Sequence, residues 1–135
     1  RILKNFGLGV ITKKMVMFKE LGVKINYIDA AYTSQTCNSC GYVDKNNRKK
    51  QSEFKCLCCG LIQHGDINST RTIDNFSKRF GNKIFYGKKG RNEKLQLIVG
   101  DFIKNNKFWM NNGSVIQTIQ NNPYFESFLG ENLIK

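Results

Sequence analysis

Four cysteines carry the clearest chemistry in this chain. Cys37-Asn-Ser-Cys40 and Cys56-Leu-Cys-Cys59 are two C-x-x-C pairs with fifteen residues between them, a separation inside the zinc-ribbon window. Zinc takes four soft ligands in a tetrahedron at roughly 2.3 Å from each sulfur. One C-x-x-C turn supplies two thiolates from a knuckle, and the second pair closes the shell. Glycine follows the second cysteine of each pair, as Gly41 and Gly60, where a positive φ is expected and glycine adopts it at no steric cost. Cys58 belongs to no glycine-closed pair and is expected to be the spare thiol. His64 reads as packing or surface rather than as a ligand. Four thiolates leave no open coordination position, so Cys37, Cys40, Cys56 and Cys59 are expected to hold a structural Zn2+.

The hairpin between the pairs is basic. Lys45, Arg48, Lys49, Lys50 and Lys55 crowd it, and this suits either phosphate contacts or a solvated turn. The whole chain is cationic, with 22 Lys and Arg against 10 acids in 135 residues and a net charge of +12. The excess is spread over both halves, 12 basic against 6 acidic side chains in residues 1–74 and 10 against 4 in residues 75–135. Such a field draws polyanions, of which nucleic acid is the commonest. Five cysteines make an odd count, unlike a secreted disulfide framework. No uninterrupted apolar run approaches a membrane span and the start has no signal-peptide pattern. Together these point to a reducing, intracellular setting, not a secreted protein, and to metal binding. The chain starts at Arg1 rather than Met and reads as a piece of something longer.

The elements that must position these residues follow from periodicity. Residues 10–21 suit a helix with Ile11, Met15, Phe18 and Leu21 on one stripe, ended by Gly22. Residues 23–28 alternate as a strand, giving an α/β connection. Residues 33–62 read as loop and short hairpin. A second helix is expected from Asp66 to about Phe80, with Asp66 as N-cap or first-turn acid, Ile67, Ile73 and Phe80 inward, and Gly81 closing it. Residues 81–92 read as a glycine- and lysine-rich loop. Leu95, Ile98, Val99 and Phe102 suit a short helix, and residues 114–119 a strand. Asn122-Pro123 resembles a helix start, with Phe125, Phe128, Leu129 and Leu133 at helical spacing.

From Val23 to Ile73 the order of features resembles the C-terminal part of TnpB/OrfB proteins of insertion sequences, of their Fanzor relatives and, more distantly, of compact type V CRISPR effectors. The matching residues are VKINYID, then Tyr32-Thr33-Ser34-Gln35-Thr36-Cys37, then Cys40-Gly41, Asn47-Arg48, Ser52-Glu53-Phe54-Lys55-Cys56, Cys59-Gly60, and Asp66-Ile67-Asn68 leading to Ile73. The resemblance implies a partial RNase H-like, RuvC-type α/β fold over residues 1–32. It implies an inserted zinc ribbon at 33–62 and a final helix at 63–80. Residues 81–135 have no counterpart in it and are expected to be an α+β or poorly ordered extension. It further implies RNA-guided DNA cleavage by three acids holding Mg2+, the third of which maps onto Asp66. A carboxylate at a helix start is a hard oxygen ligand on a rigid element, which suits two-metal chemistry. Without the resemblance, plain N-capping is the better reading of Asp66. Ser34 and Gln35 match a motif near that active site, with turn chemistry as the other reading.

The chain departs from the pattern in two ways. Ser69 and Thr70 stand where the family usually has two alanines, and Ala31 where proline is common. The family's first two acids lie before the helix with which this chain starts, and Glu20 is the only acid in residues 1–22. The expected function is therefore the DNA-binding ribbon and C-terminal RuvC segment of an RNA-guided endonuclease, inactive alone, with DNA and guide RNA as partners. The alternatives are a nucleic-acid-binding zinc module without catalysis and a protein-binding ribbon.

Overall fold

The computed structural model describes residues 2–107 and 112–126. In chain order they form α1 (Ile2–Glu20), a single 3-10 turn (Lys45–Asn47), β1 (Glu53–Lys55), β2 (Ile62–His64), α2 (Gly65–Phe80), α3 (Gly87–Asn105) and α4 (Gly113–Gln120). The described part is mostly helical, with a single two-stranded antiparallel hairpin that pairs Phe54 with Gln63.

Helix α1 reaches back to Ile2, eight residues before the expected start at Val10. Gly7 and Gly9 lower its intrinsic propensity but meet no steric conflict. It ends as expected at Gly22, whose φ is +78°. The Gly22 N–H donates to Lys19 O at 3.1 Å and the Val23 N–H to Phe18 O at 2.9 Å, the paired bonds of a Schellman stop. The apolar stripe of α1 faces solvent, with Ile11, Phe18 and Leu21 exposed and Met15 half-buried.

The strand expected at 23–28 does not form, and the segment has no sheet partner among the described residues. Alternation supplies a burial pattern, but a strand also needs a neighbour to receive its N–H and C=O groups. No RNase H-like sheet lies among the described residues.

Helix α2 starts at Gly65 and is closed by Gly81, with φ +58°. Its inward face is not the expected Ile67 and Ile73, which are both exposed. Asn68, Thr72 and Phe76, spaced by four, are buried instead. The ribbon presents backbone carbonyls rather than an apolar wall, so it selects the polar stripe. Asn68 Nδ2 and Thr72 Oγ1 both donate to Thr36 O, at 2.8 and 3.0 Å.

The C-terminal third differs most from expectation. Gly87 to Asn92 open a helix rather than continue a loop. Lys94, Ile98 and Phe102 recur every four residues on its buried side, and this stripe draws the helix back over the glycines. Residues 114–119 are helical, not a strand. Asn112 Oδ1 caps the Ser114 N–H at 3.1 Å, and Val115 and Ile119 bury at i, i+4 spacing, so the helical period wins over β propensity. Residues 123–125 form a turn and Glu126 after them is helical, so the expected helix start falls at the edge of the described residues. Phe128, Leu129 and Leu133 lie outside the described residues.

These helices are no loose tail. Tyr42 of the ribbon stacks on Phe125 at 5.3 Å between ring centroids and meets Phe102 edge-on at 5.5 Å. Phe102 meets Phe125 at 5.5 Å in turn. Phe54, Phe76, Ile98, Val99, Val115 and Ile119 complete one core. Each such aromatic pair adds about 0.5–1.5 kcal/mol beyond the area it buries.

Candidate metal centre and neighbouring carboxylate

The ligand atoms of Cys37, Cys40, Cys56 and Cys59 all lie within 4.8 Å of one another. Cys37 Sγ is 3.7 Å from Cys59 Sγ, and Cys40 Sγ is 3.6 Å from Cys56 Sγ. A tetrahedron with Zn–S bonds of about 2.3 Å has edges of about 3.8 Å. The cluster therefore fits a structural zinc, and Cys58 stands outside it. His64 serves elsewhere, as N-cap of α2, its Nδ1 accepting the Asp66 N–H at 3.2 Å.

Each knuckle is a tight turn. The Gly41 N–H donates to Cys37 O at 3.0 Å and the Gly60 N–H to Cys56 O at 3.1 Å. Both glycines carry the expected positive φ, +81° and +75°. Two buried asparagines, unweighted in the sequence reading, join the pieces. Asn47 donates through Nδ2 to Gln35 O at 2.9 Å and accepts the Leu57 N–H at 3.0 Å, tying one knuckle to the other. Asn68, fully buried, accepts from the Asn38 N–H, Asn38 Nδ2 and Gln63 Nε2 at 3.1, 2.8 and 3.0 Å, which fastens α2 to the first knuckle. Their signal was placement inside motifs rather than hydropathy, because a buried asparagine is indistinguishable from a surface one in composition.

Asp66 lies in the first turn of α2 with its side chain 68% exposed. Arg48 reaches it from the ribbon. Its Nη2 donates to Asp66 Oδ1 at 2.8 Å, Nη1 to Ser69 Oγ at 2.9 Å and Nε to Gln51 O at 3.1 Å. Gly65 makes room for this side chain, since a Cβ there would sit 2.7 Å from Arg48 Nε and 2.6 Å from Gln51 O. Arg48 is thus committed to the protein, unlike Lys45, Lys49 and Lys55, which are exposed. Lys50 is exposed and 3.6 Å from Glu53. Lys49 and Lys55 border a small hollow with Asn47 and Leu57.

Ser34 and Gln35 are half-buried in a turn on the other side of the ribbon's first strand bridge, Thr36 with Val43. Tyr32 opens that turn with φ +65°, a left-handed value rare for a non-glycine residue. Its carbonyl is held by the Gln35 and Thr36 N–H groups and by Thr36 Oγ1, and its ring by Tyr124, edge-on at 5.8 Å. Tyr124 Oη also donates to Gln35 Oε1 at 3.0 Å. The structure gathers the four sulfurs at one place and Arg48 with Asp66 at another, and holds Gln35 inward. No helix among the described residues is long and apolar enough to cross a membrane.

Residues 14–73 match the family model described as Cas12f1-like, TNB domain. The CRISPR-associated endodeoxyribonuclease Cas12f1 of Sulfoacidibacillus thermotolerans is 39% identical over 74 residues, 54% of this chain and 18% of the relative. InsQ of Escherichia coli (strain K12), which carries the name of an RNA-guided DNA endonuclease, is 38% identical over 63 residues, 45% of this chain and 16% of the relative. The matches therefore span less than a fifth of either relative's length. No solved structure matches the chain significantly. Residues 14–73 thus carry a Cas12f1-like TNB domain built round a four-cysteine cluster, with distant, partial homology to Cas12f and TnpB/InsQ proteins.

Proposed function

We propose that this chain is the nucleic-acid-binding zinc ribbon and C-terminal RuvC-type segment of an RNA-guided DNA endonuclease. Asp66 is its contribution to a Mg2+ site. The observation that supports this most is the placement of Asp66, an exposed carboxylate on the rigid start of α2, anchored to the zinc ribbon through Arg48. A helix start fixes a carboxylate in position, and the ribbon fixes the helix. Mg2+ would be held by Asp66 together with two acids supplied by sequence upstream of α1, and would polarise the scissile phosphate. The partly similar relatives named as endonucleases, and the +12 charge, support nucleic acid as partner.

One Asp does not hold a metal pair. The purified, zinc-loaded chain is expected to bind DNA with an affinity that falls steeply with salt, because phosphate contacts release counterions, and to leave the DNA uncut with Mg2+ present. Magnesium-dependent cleavage by this chain alone overturns the split of the active site. Absence of any nucleic-acid binding at low salt overturns the partner and favours a protein-binding ribbon. A non-catalytic nucleic-acid module is the second reading, favoured by the Arg48 ion pair that already occupies Asp66 Oδ1. Joining an upstream segment with one Asp and one Glu distinguishes the two: cleavage abolished by Asp66→Ala supports the first, and no cleavage the second.

A further inference from the structure

A second cationic surface lies outside residues 14–73, where the loop before α3 runs into its first turns. Residues 81–92 contain four basic side chains and no acid. Lys83 is engaged by Glu93 at 2.6 Å, while Lys88, Lys89 and Arg91 are exposed and form no salt bridge among the described residues. Lys88 and Lys89 border an open groove of about 670 Å³ with Asn92, Glu93 and Gln96. Cations in the first turn oppose the positive end of the helix dipole. That turn has no acidic residue, and its N-cap, Tyr86, makes no side-chain capping bond. This segment accumulates positive potential against its own helical stability, the kind of local conflict found where function outweighs folding.

Tyr86 gives the surface its character. It is 81% exposed, more than any other large hydrophobic side chain described. Its backbone is nevertheless fixed. Phe85 beside it is buried, and its N–H faces Asp29 Oδ2 at 3.4 Å. Tyr86 O accepts the Gly90 N–H at 3.0 Å. Gly90 lies so close that a Cβ there would meet Phe85 C at 2.6 Å. The phenol is thus presented to solvent from an ordered support, two to five residues ahead of three exposed cations in the chain. A flat ring held beside phosphate-binding charge is how unpaired bases are taken up, since a base in a duplex keeps its faces stacked.

We infer that this surface binds single-stranded nucleic acid, with a base stacked on Tyr86 and the backbone phosphates on Lys88, Lys89 and Arg91. It uses none of the ribbon residues, although it shares the nucleic-acid reading above. The test is fluorescence anisotropy of the zinc-loaded chain with a labelled oligothymidine strand and with a duplex of equal length, across a salt series. Tyr86→Ala is expected to weaken the single strand about tenfold, the usual size of one lost base stack. Duplex binding should stay within about twofold, and Tyr86→Phe should retain strand affinity. Lys88→Ala with Lys89→Ala is expected to flatten the salt dependence by roughly 0.7 in log–log slope per lost contact. Unchanged strand affinity in Tyr86→Ala overturns the inference while leaving the ribbon reading intact, and so does an equal loss on duplex. Failure of the unaltered chain to bind either probe overturns both.

Discussion

Arg48 and Asp66 meet at 2.8 Å across the seam between ribbon and α2, and their exposures are opposite: 16% for the arginine side chain, 68% for the aspartate. The pair therefore divides its labour. Arg48 fills a protein-lined slot over Gly65, where it also reaches Gln51 O and Ser69 Oγ. Asp66 remains open to solvent on its other side.

That asymmetry sets the first expectation. Arg48→Ala should destabilise the zinc-loaded protein by about 2–3 kcal/mol, because it strips the charge-assisted bonds to Asp66, Ser69 and Gln51 that a half-buried side chain makes. Asp66→Asn should cost under about 1 kcal/mol, since an exposed ion pair is weakened by solvent. Urea unfolding of the two variants checks this. Equal losses would show that Asp66 serves mainly to hold the fold, and the case for an available carboxylate would weaken.

The cluster predicts how the five thiols divide. Cys58→Ser should retain one equivalent of zinc, whereas Cys59→Ser should lose tight binding, because three thiolates and water make a far weaker shell. Structural zinc of this kind contributes on the order of 10 kcal/mol to folding. The ribbon shares its core with α3 and the C-terminal turn through Tyr42, Phe102 and Phe125. Chelation should therefore collapse amide dispersion in residues 98–105 and 113–125 as well as in the ribbon. Dispersion that persists in α3 after complete zinc removal would mean that the two parts fold independently.

The knuckles were legible in the sequence because their geometry is local: C-x-x-C-G spacing and one positive-φ glycine, Gly41 or Gly60, determine each turn. The helix stop at Gly22 was legible for the same reason. What could not be read was everything decided at long range. Whether Val23–Ile28 becomes a strand depends on a partner, and none lies among the described residues. The face that α2 turns inward depends on the carbonyl of Thr36, thirty-two residues before Asn68. The glycines of 87–92 and the β-branched residues of 114–119 point locally to loop and strand. The stripe Lys94, Ile98, Phe102 and the pair Val115, Ile119 override them by finding a core to bury in.

Asn122 is where that core is locked from the C-terminal side. Its Nδ2 donates to Tyr42 Oη and to Val43 O, both at 2.8 Å, with every atom buried. Asn122→Ala leaves a buried carbonyl and phenol short of a donor and should cost about 2–3 kcal/mol. Tyr124→Phe removes the single bond to Gln35 while keeping the ring against Tyr32, so it should cost about 1 kcal/mol. Thermal melts of the zinc-loaded variants decide the order. A neutral Asn122→Ala would show that the C-terminal turn is peripheral to the ribbon.

Lys94 and Asp29 form the one ion pair that is nearly desolvated among the described residues, 1% and 15% exposed. Lys94 Nζ donates to Asp29 Oδ1 at 3.1 Å and to Asp29 O at 2.6 Å, and lies 4.8 Å from the centre of the Phe76 ring. The two partners respond in conflicting directions. Burial lowers the lysine despite the carboxylate beside it. Burial raises the aspartate, but the Lys94 bond and charge and the Ala31 and Phe85 N–H groups outweigh it and leave it below its ordinary value. The contacts to Nζ decide the matter, for they are those of an ammonium, and both groups are charged near neutrality. A lowered aspartate contributes stability that is fully present above the unfolded pKa of about 4 and is lost as pH falls through the lower folded value. The stability gap between the unaltered protein and Asp29→Asn should therefore be constant from pH 8 down to about pH 6. Lys94→Met in the Asp29→Asn background should cost less than Lys94→Met alone, which strands a buried carboxylate. A gap that narrows between pH 8 and about pH 6, or costs that simply add, would mean that Asp29 is not held as an anion by Lys94.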